Sequence, residues 1–185
     1  MHNLHLLGAL VTPRVVSACF STIWNRWTTM RRFQKRASES NHCKLGCGGE
    51  AEDSIEHYAR CGCVRQCGTR ILRMPSDGIC VHTFLLCDPR IQTREQLILC
   101  ALLIYASYRA FNHYKHTTAP TAAEVHDAMS QWCKEGVRGH RLSTNTLEQV
   151  WQRSPPSTPL PPMPANVCLT DARIHPHKKR KTKHH

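Results

Sequence analysis

Apolar positions recur along this chain at helical rather than strand periods. Between residues 17 and 36, Ile23, Trp24, Trp27, Met30 and Phe33 fall three and four residues apart. Arg26, Arg31, Arg32 and Lys35 interleave with them, so the stripe predicts one amphipathic basic helix. The plainer expectation for the same stripe is a core helix whose tryptophans only pack. Thr93 and Gln96 form a capping-box start for a helix of about twenty residues ending near Tyr114. Thr121 and Glu124 start another, in which Val125, Ala128, Met129, Trp132 and Cys133 share a face before Gly136 stops it. With Pro120 in the loop between them, the two helices should pair as an antiparallel hairpin. The apolar run from Leu97 to Ala106 is ten residues long, too short to span a bilayer, and predicts a buried helix. LHLLGALV at residues 4 to 11 has no Lys or Arg in front of it and no small-residue cleavage site, so it reads as a packing segment rather than a signal peptide. From Gly68 to Arg90 the pattern is irregular, with a short strand expected around Ile79 to Leu86.

Specific chemistry enters in one stretch, HCKLGCGGEAEDSIEHYARC, where Cys43, Cys47, His57 and Cys61 stand at C-x3-C-x9-H-x3-C spacing. Two soft pairs on tight local elements can close a tetrahedral zinc site. The first pair brackets Lys44, Leu45 and Gly46, with Gly48 and Gly49 following, so the backbone can take the left-handed turns a knuckle needs. For the second pair, Asp53 reads as a helix N-cap with Glu56 three residues on, placing His57 and Cys61 at i and i+4 on one face. Four protein ligands leave no position for a catalytic water, so the implied Zn2+ is structural. Cys63 and Cys67 follow at once, and Cys43, Cys47, Cys63 and Cys67 form a rival C-x3-C-x15-C-x3-C set; His42 can also stand in for a neighbouring ligand.

The stretch from Trp24 to Cys61 resembles the zinc-binding segment found downstream of the polymerase domain in non-LTR retrotransposon reverse transcriptases. The LGC turn, the EDSIEHYARC helix and the preceding RRFQKR run carry the likeness, and ALLIYASYRAFN is similar to a helix that can follow that segment. The resemblance implies Cys43, Cys47, His57 and Cys61 as ligands, a role on nucleic acid, and the polymerase portion of a parent protein as a partner. This chain departs from the commoner family spacing, in which four residues separate the His from the last Cys, and that sets a nearby Cys in competition with Cys61. A polymerase needs several hundred residues and paired catalytic aspartates, whereas these 185 residues hold 13 acidic side chains and no Asp-Asp pair. The expectation is a non-catalytic C-terminal remnant or gene-model fragment, not an enzyme.

Charge sharpens this reading. Arg26, Arg31, Arg32, Lys35 and Arg36 give +5 with no acid between residues 26 and 36, and residues 138 to 185 contribute +7. Together they account for the whole formal excess of +12, so the positive charge sits in two arms beside the zinc module. Arg31, Arg32, Lys35 and Arg36 are the candidate phosphate contacts for RNA or single-stranded DNA, with Tyr58 as a stacking face. A solvated helix face and a tail explain the same charge without a ligand. Eleven cysteines, an odd number clustered between Cys43 and Cys67, suit thiolate ligation in the nucleus or cytoplasm better than a secreted disulfide framework. Six prolines in SPPSTPLPPMP and the basic end HPHKKRKTKHH predict a disordered tail with a short nuclear-import-like run.

The expected architecture is mainly α. Its parts are an N-terminal segment with the basic helix (1–40), a zinc-knuckle module (41–68), an irregular connector (69–92), a helical hairpin (93–137) and a basic Pro-rich tail (138–185). The competing functional expectations are a zinc-stabilised protein-interaction module and a decayed retroelement relic without selected function.

Overall fold

The structure, a computed structural model, describes residues 2–30, 42–47, 51–117 and 120–136. The basic run at 31–36, with its four candidate phosphate contacts, and the tail from 137 onward lie outside the described residues. The described chain is mainly helical and holds no strand; its one piece of extended pairing is an isolated antiparallel bridge between His42 and Glu52. The strand expected around Ile79 to Leu86 is instead a 3-10 turn at Ser76–Gly78 followed by a one-turn helix, α5 (Val81–Phe84).

The scaffold is organised around α6 (Arg94–Tyr114). It begins with the expected capping box: Thr93 Oγ accepts from Gln96 N, and Gln96 Oε1 accepts from Thr93 N at 3.1 Å. Every residue from Gln96 to Ser107 is buried, so this helix is covered on all sides rather than along one stripe. α1 (His2–Leu10), α2 (Pro13–Ile23), α4 (Gly62–Arg70), α5 and α7 (Ala122–Gly136) all pack on it. The LHLLGALV run forms most of α1, burying Leu7 and Val11. α7 carries its own reciprocal cap, with Glu124 Oε2 accepting from Thr121 N and Thr121 Oγ1 accepting from Glu124 N. It runs back along α6 as an antiparallel hairpin: Tyr114 Oη reaches Glu124 O, Trp132 meets His113, and Gly136 lies against Leu102. Gly136 belongs to the last turn of α7, where a Cβ would stand 2.5 Å from Leu102 Cδ2; the missing side chain lets the two helices approach. No helix among the described residues is long and apolar enough to cross a membrane.

The single helix expected over residues 17–36 does not form. Pro13 opens α2 at its first turn and the helix ends at Ile23. Asn25 takes a left-handed φ of 49°, Arg26 N donates to Ser21 O and Asn25 N donates to Thr22 O, the paired bonds of a Schellman stop. Asn tolerates that conformation better than most residues, which the apolar period alone does not register. The stripe is thereby split: Trp24 is 61% exposed and stacks on Phe20, while Trp27 turns inward and is fully buried. Its indole N–H donates to Thr22 Oγ1, and its ring meets Tyr58, Tyr108 and Phe111 at centroid separations of 5.2 to 5.5 Å. This aromatic cluster fixes α6 against the segment that carries the metal-ligand candidates.

Candidate metal centre

Cys43 enters the site from the short pairing of residues 42 and 52, where its own N–H donates to Ala51 O at 3.0 Å. The chain then turns: Leu45 N donates to Cys43 Sγ at 3.4 Å, Leu45 is fully buried, and Gly46 adopts φ +60°. A Cβ on Gly46 would lie 2.0 Å from Pro120 O, so the turn needs glycine twice, for its left-handed backbone and for its contact with the α6–α7 loop. The turn delivers Cys47 beside His57, with Sγ and Nε2 3.5 Å apart.

His57 lies on a four-residue helix, α3 (Ile55–Tyr58), capped by Ser54, whose Oγ accepts from His57 N at 3.1 Å. The expected cap, Asp53, is one residue too early. It is buried and otherwise engaged, accepting from Tyr58 Oη at 2.5 Å and from Met30 N at 2.9 Å. The helix also does not reach Cys61. After Tyr58 it tightens, with Arg60 N on His57 O and Cys61 N on Tyr58 O, and Cys61 becomes the extended N-cap residue of α4. His57 and Cys61 therefore converge from the end of one helix and the start of the next, not from one face. Cys61 Sγ stands 3.7 Å from Cys43 Sγ.

The ligand atoms of Cys43, Cys47, His57 and Cys61 all lie within 4.8 Å of one another, close enough to hold one metal ion. Cys43 and Cys61 are buried, and Cys47 and His57 half-buried, so the cluster meets solvent on one side. Hydrogen bonds from the Cys43 thiol, and after it the Cys63 thiol, hold Cys61 well below the usual thiol range against the opposing effect of burial. The same contact, with burial, pushes Cys43 upward. A thiolate already favoured among soft donors is the state a metal takes up.

The rival ligands are not among the four. Cys63 adjoins Cys61 but its Sγ donates to Leu45 O at 3.2 Å, and Cys67 is buried on α4 against Cys133 of α7. His42 is exposed, in the bridge to Glu52, and is not part of the cluster. Tyr58, expected to offer a stacking face, is fully buried: its hydroxyl donates to Asp53 and accepts from Lys44 N, and burial followed by the Asp53 charge keeps it protonated. Sequence reasoning missed this Asp53–Tyr58 pair. The only signal was a carboxylate five residues ahead of a tyrosine, with nothing to say both would be buried. No family model, curated protein or solved structure matches this chain.

Proposed function

We propose that this chain is a non-catalytic, zinc-stabilised accessory module that contacts RNA or single-stranded DNA in a retroelement setting. The donor geometry carries the metal part of the reading. Tetrahedral zinc with thiolates at about 2.3 Å and imidazole at about 2.0 Å sets sulfurs about 3.8 Å apart and a sulfur–nitrogen edge of about 3.5 Å. Two of the six edges here, Cys43–Cys61 and Cys47–His57, are 3.7 Å and 3.5 Å, and all lie within 4.8 Å. Three thiolates and one imidazole fill the coordination of such an ion, so it contributes folding energy rather than a Lewis acid. Thiolate ligation of this kind belongs in a reducing compartment, the nucleus or cytoplasm.

The nucleic-acid part is supported by the described residues on either side of the 31–41 span that contains the basic run. Met30, next to Arg31, is bonded to Asp53, and His42, six residues after Arg36, is bridged to Glu52. Both of these flanking residues meet the strip leading into α3, beside the metal cluster. The resemblance of residues 24–61 to the zinc segment of non-LTR retrotransposon reverse transcriptases supports the same reading. In this reading Arg31, Arg32, Lys35 and Arg36 meet phosphates, and log affinity for a single-stranded oligonucleotide falls with log salt at about −0.7 per contact. Replacing all four with Gln flattens that slope by about three units. Binding unchanged by the four substitutions would overturn the assignment and favour the protein-interaction module, in which the helical hairpin and the Pro-rich tail bind partners. Primer extension by a contaminant-free preparation would overturn the non-catalytic assignment.

A further inference from the structure

A groove of about 340 Å³ runs between the start of α2 and α6, lined among others by Arg14, Ser17, Tyr105, Tyr108 and Arg109. Two arginines and two tyrosines contribute to its largely apolar wall, and none of its described lining residues is an acid. Among the described residues Arg109 is met by rings and by no acid, 5.5 Å from the Trp132 centroid and 6.0 Å from that of Tyr105, so these contacts position its charge without neutralising it. Arg14 is exposed on the first turn of α2, a turn that carries no acidic residue. Tyr108 is half-buried, backed by Trp27 at 5.5 Å. The volume stands at the small end of the roughly 300–1,000 Å³ of ligand sites, enough for one nucleotide and too little for a duplex.

We propose that this groove holds one nucleotide of a single strand, its phosphate between Arg14 and Arg109 and its base against Tyr108. The proposal rests on the single-strand reading above but is carried by different residues, so the two can fail separately. Cations offer phosphate selectivity and the aromatic wall offers sequence-tolerant stacking, the combination by which single strands are held.

The test uses the full-length protein with ring-labelled tyrosine, titrated with uridine 5′-monophosphate and watched by NMR. The expected result is a saturable shift of the Tyr108 resonances, weakened severalfold by Arg14→Gln and weaker again with inorganic phosphate alone. Arg14 is exposed, so its substitution leaves the core intact; Arg109→Lys, which keeps the charge but loses the planar fork, provides the second variant. On a hexauridylate, Arg14→Gln should lower the salt slope by about 0.7 on top of the four-Gln change in the basic run. Tyrosine resonances that do not move, or that move equally in Arg14→Gln, overturn the groove. If the hexamer still binds and the four-Gln variant weakens it, the basic-run reading stands without the groove. If the mononucleotide binds while the four-Gln variant holds the hexamer like the unaltered chain, the groove stands and the basic-run reading falls. Inorganic phosphate binding as well as the nucleotide overturns the stacking role of Tyr108.

Discussion

Replacing Gly46 with Ala tests whether the metal turn and the helical hairpin are one mechanical unit. Two costs are separable. The left-handed φ of +60° costs an alanine about 1–2 kcal/mol. The new methyl would also stand 2.0 Å from Pro120 O, where ordinary contact begins near 3.4 Å, so turn or loop must retreat by more than an ångström. The obstacle is backbone, not a side chain that can swing away, and overpacking of this kind adds about 1–3 kcal/mol. The sum, about 2–5 kcal/mol, lowers the melting temperature by on the order of 10 °C or more. The strain is applied between Cys43 and Cys47, so zinc affinity should fall with it, by tenfold to a hundredfold if about 1.4–2.8 kcal/mol of the cost appears in binding. Gly62→Ala is the matched control: it lies at the start of α4, beside the same cluster, with nothing within 4 Å of its added carbon. Calorimetric melts and competition with a chromogenic chelator read both variants. A Gly46→Ala protein that melts and binds zinc like the unaltered chain, or a Gly62→Ala protein equally damaged, would refute the reasoning.

Elemental analysis should find about one zinc per chain, lost in Cys43→Ser and kept in Cys67→Ala; the reverse pattern would restore the rival ligand set. Asp53→Ala strands the buried Tyr58 hydroxyl and weakens the tie to Met30, and should lower the urea midpoint by the equivalent of about 1–3 kcal/mol, with Tyr58→Phe costing less. An Asp53→Ala midpoint equal to that of the unaltered chain would show the pair to be energetically idle. Burial works to raise Asp88, but hydrogen bonds and charge from Arg90 outweigh it and hold the carboxyl below its ordinary value. A depressed carboxylate contributes stability that is complete above its unfolded pKa of about 3.9 and lost as pH falls through the folded value. Melts of Asp88→Asn should therefore lie below those of the unaltered chain at pH 7, with the gap narrowing as pH falls below the ordinary carboxylate range; parallel curves would exclude the ion pair as the source.

What was legible in the sequence was whatever a local rule decides. The Thr93/Gln96 and Thr121/Glu124 caps and the burial of the Leu97–Ala106 run each follow from a few adjacent residues, as does the pairing of Cys43 with Cys47. Errors arose where two local rules competed. Asp53 and Ser54 are both good caps, and the choice between them was made by Tyr58, whose buried hydroxyl needs the carboxylate. The apolar stripe from Ile23 to Phe33 outweighed one Asn, yet a left-handed residue at position 25 ends a helix whatever pattern continues beyond it. Close approaches far apart in sequence, such as Gly46 on Pro120 or Cys67 on Cys133, leave no periodic trace.

The all-round burial of α6 has a consequence for the order in which a ribosome can build this protein. α1 and α2 are complete by residue 23, but the helix that covers them ends at residue 114. At about 5–20 residues per second, they wait on the order of 5–20 s with Leu7, Val11 and Cys19 uncovered. The four metal-ligand candidates, by contrast, span only residues 43 to 61 and are all synthesised before α6 begins. A metal captured by the emerging chain would close the 43–61 loop while most of the apolar scaffold is still inside the ribosome, giving the later helices a rigid edge on which to assemble. Metal supply during translation, rather than after it, would then govern how much of the chain escapes aggregation.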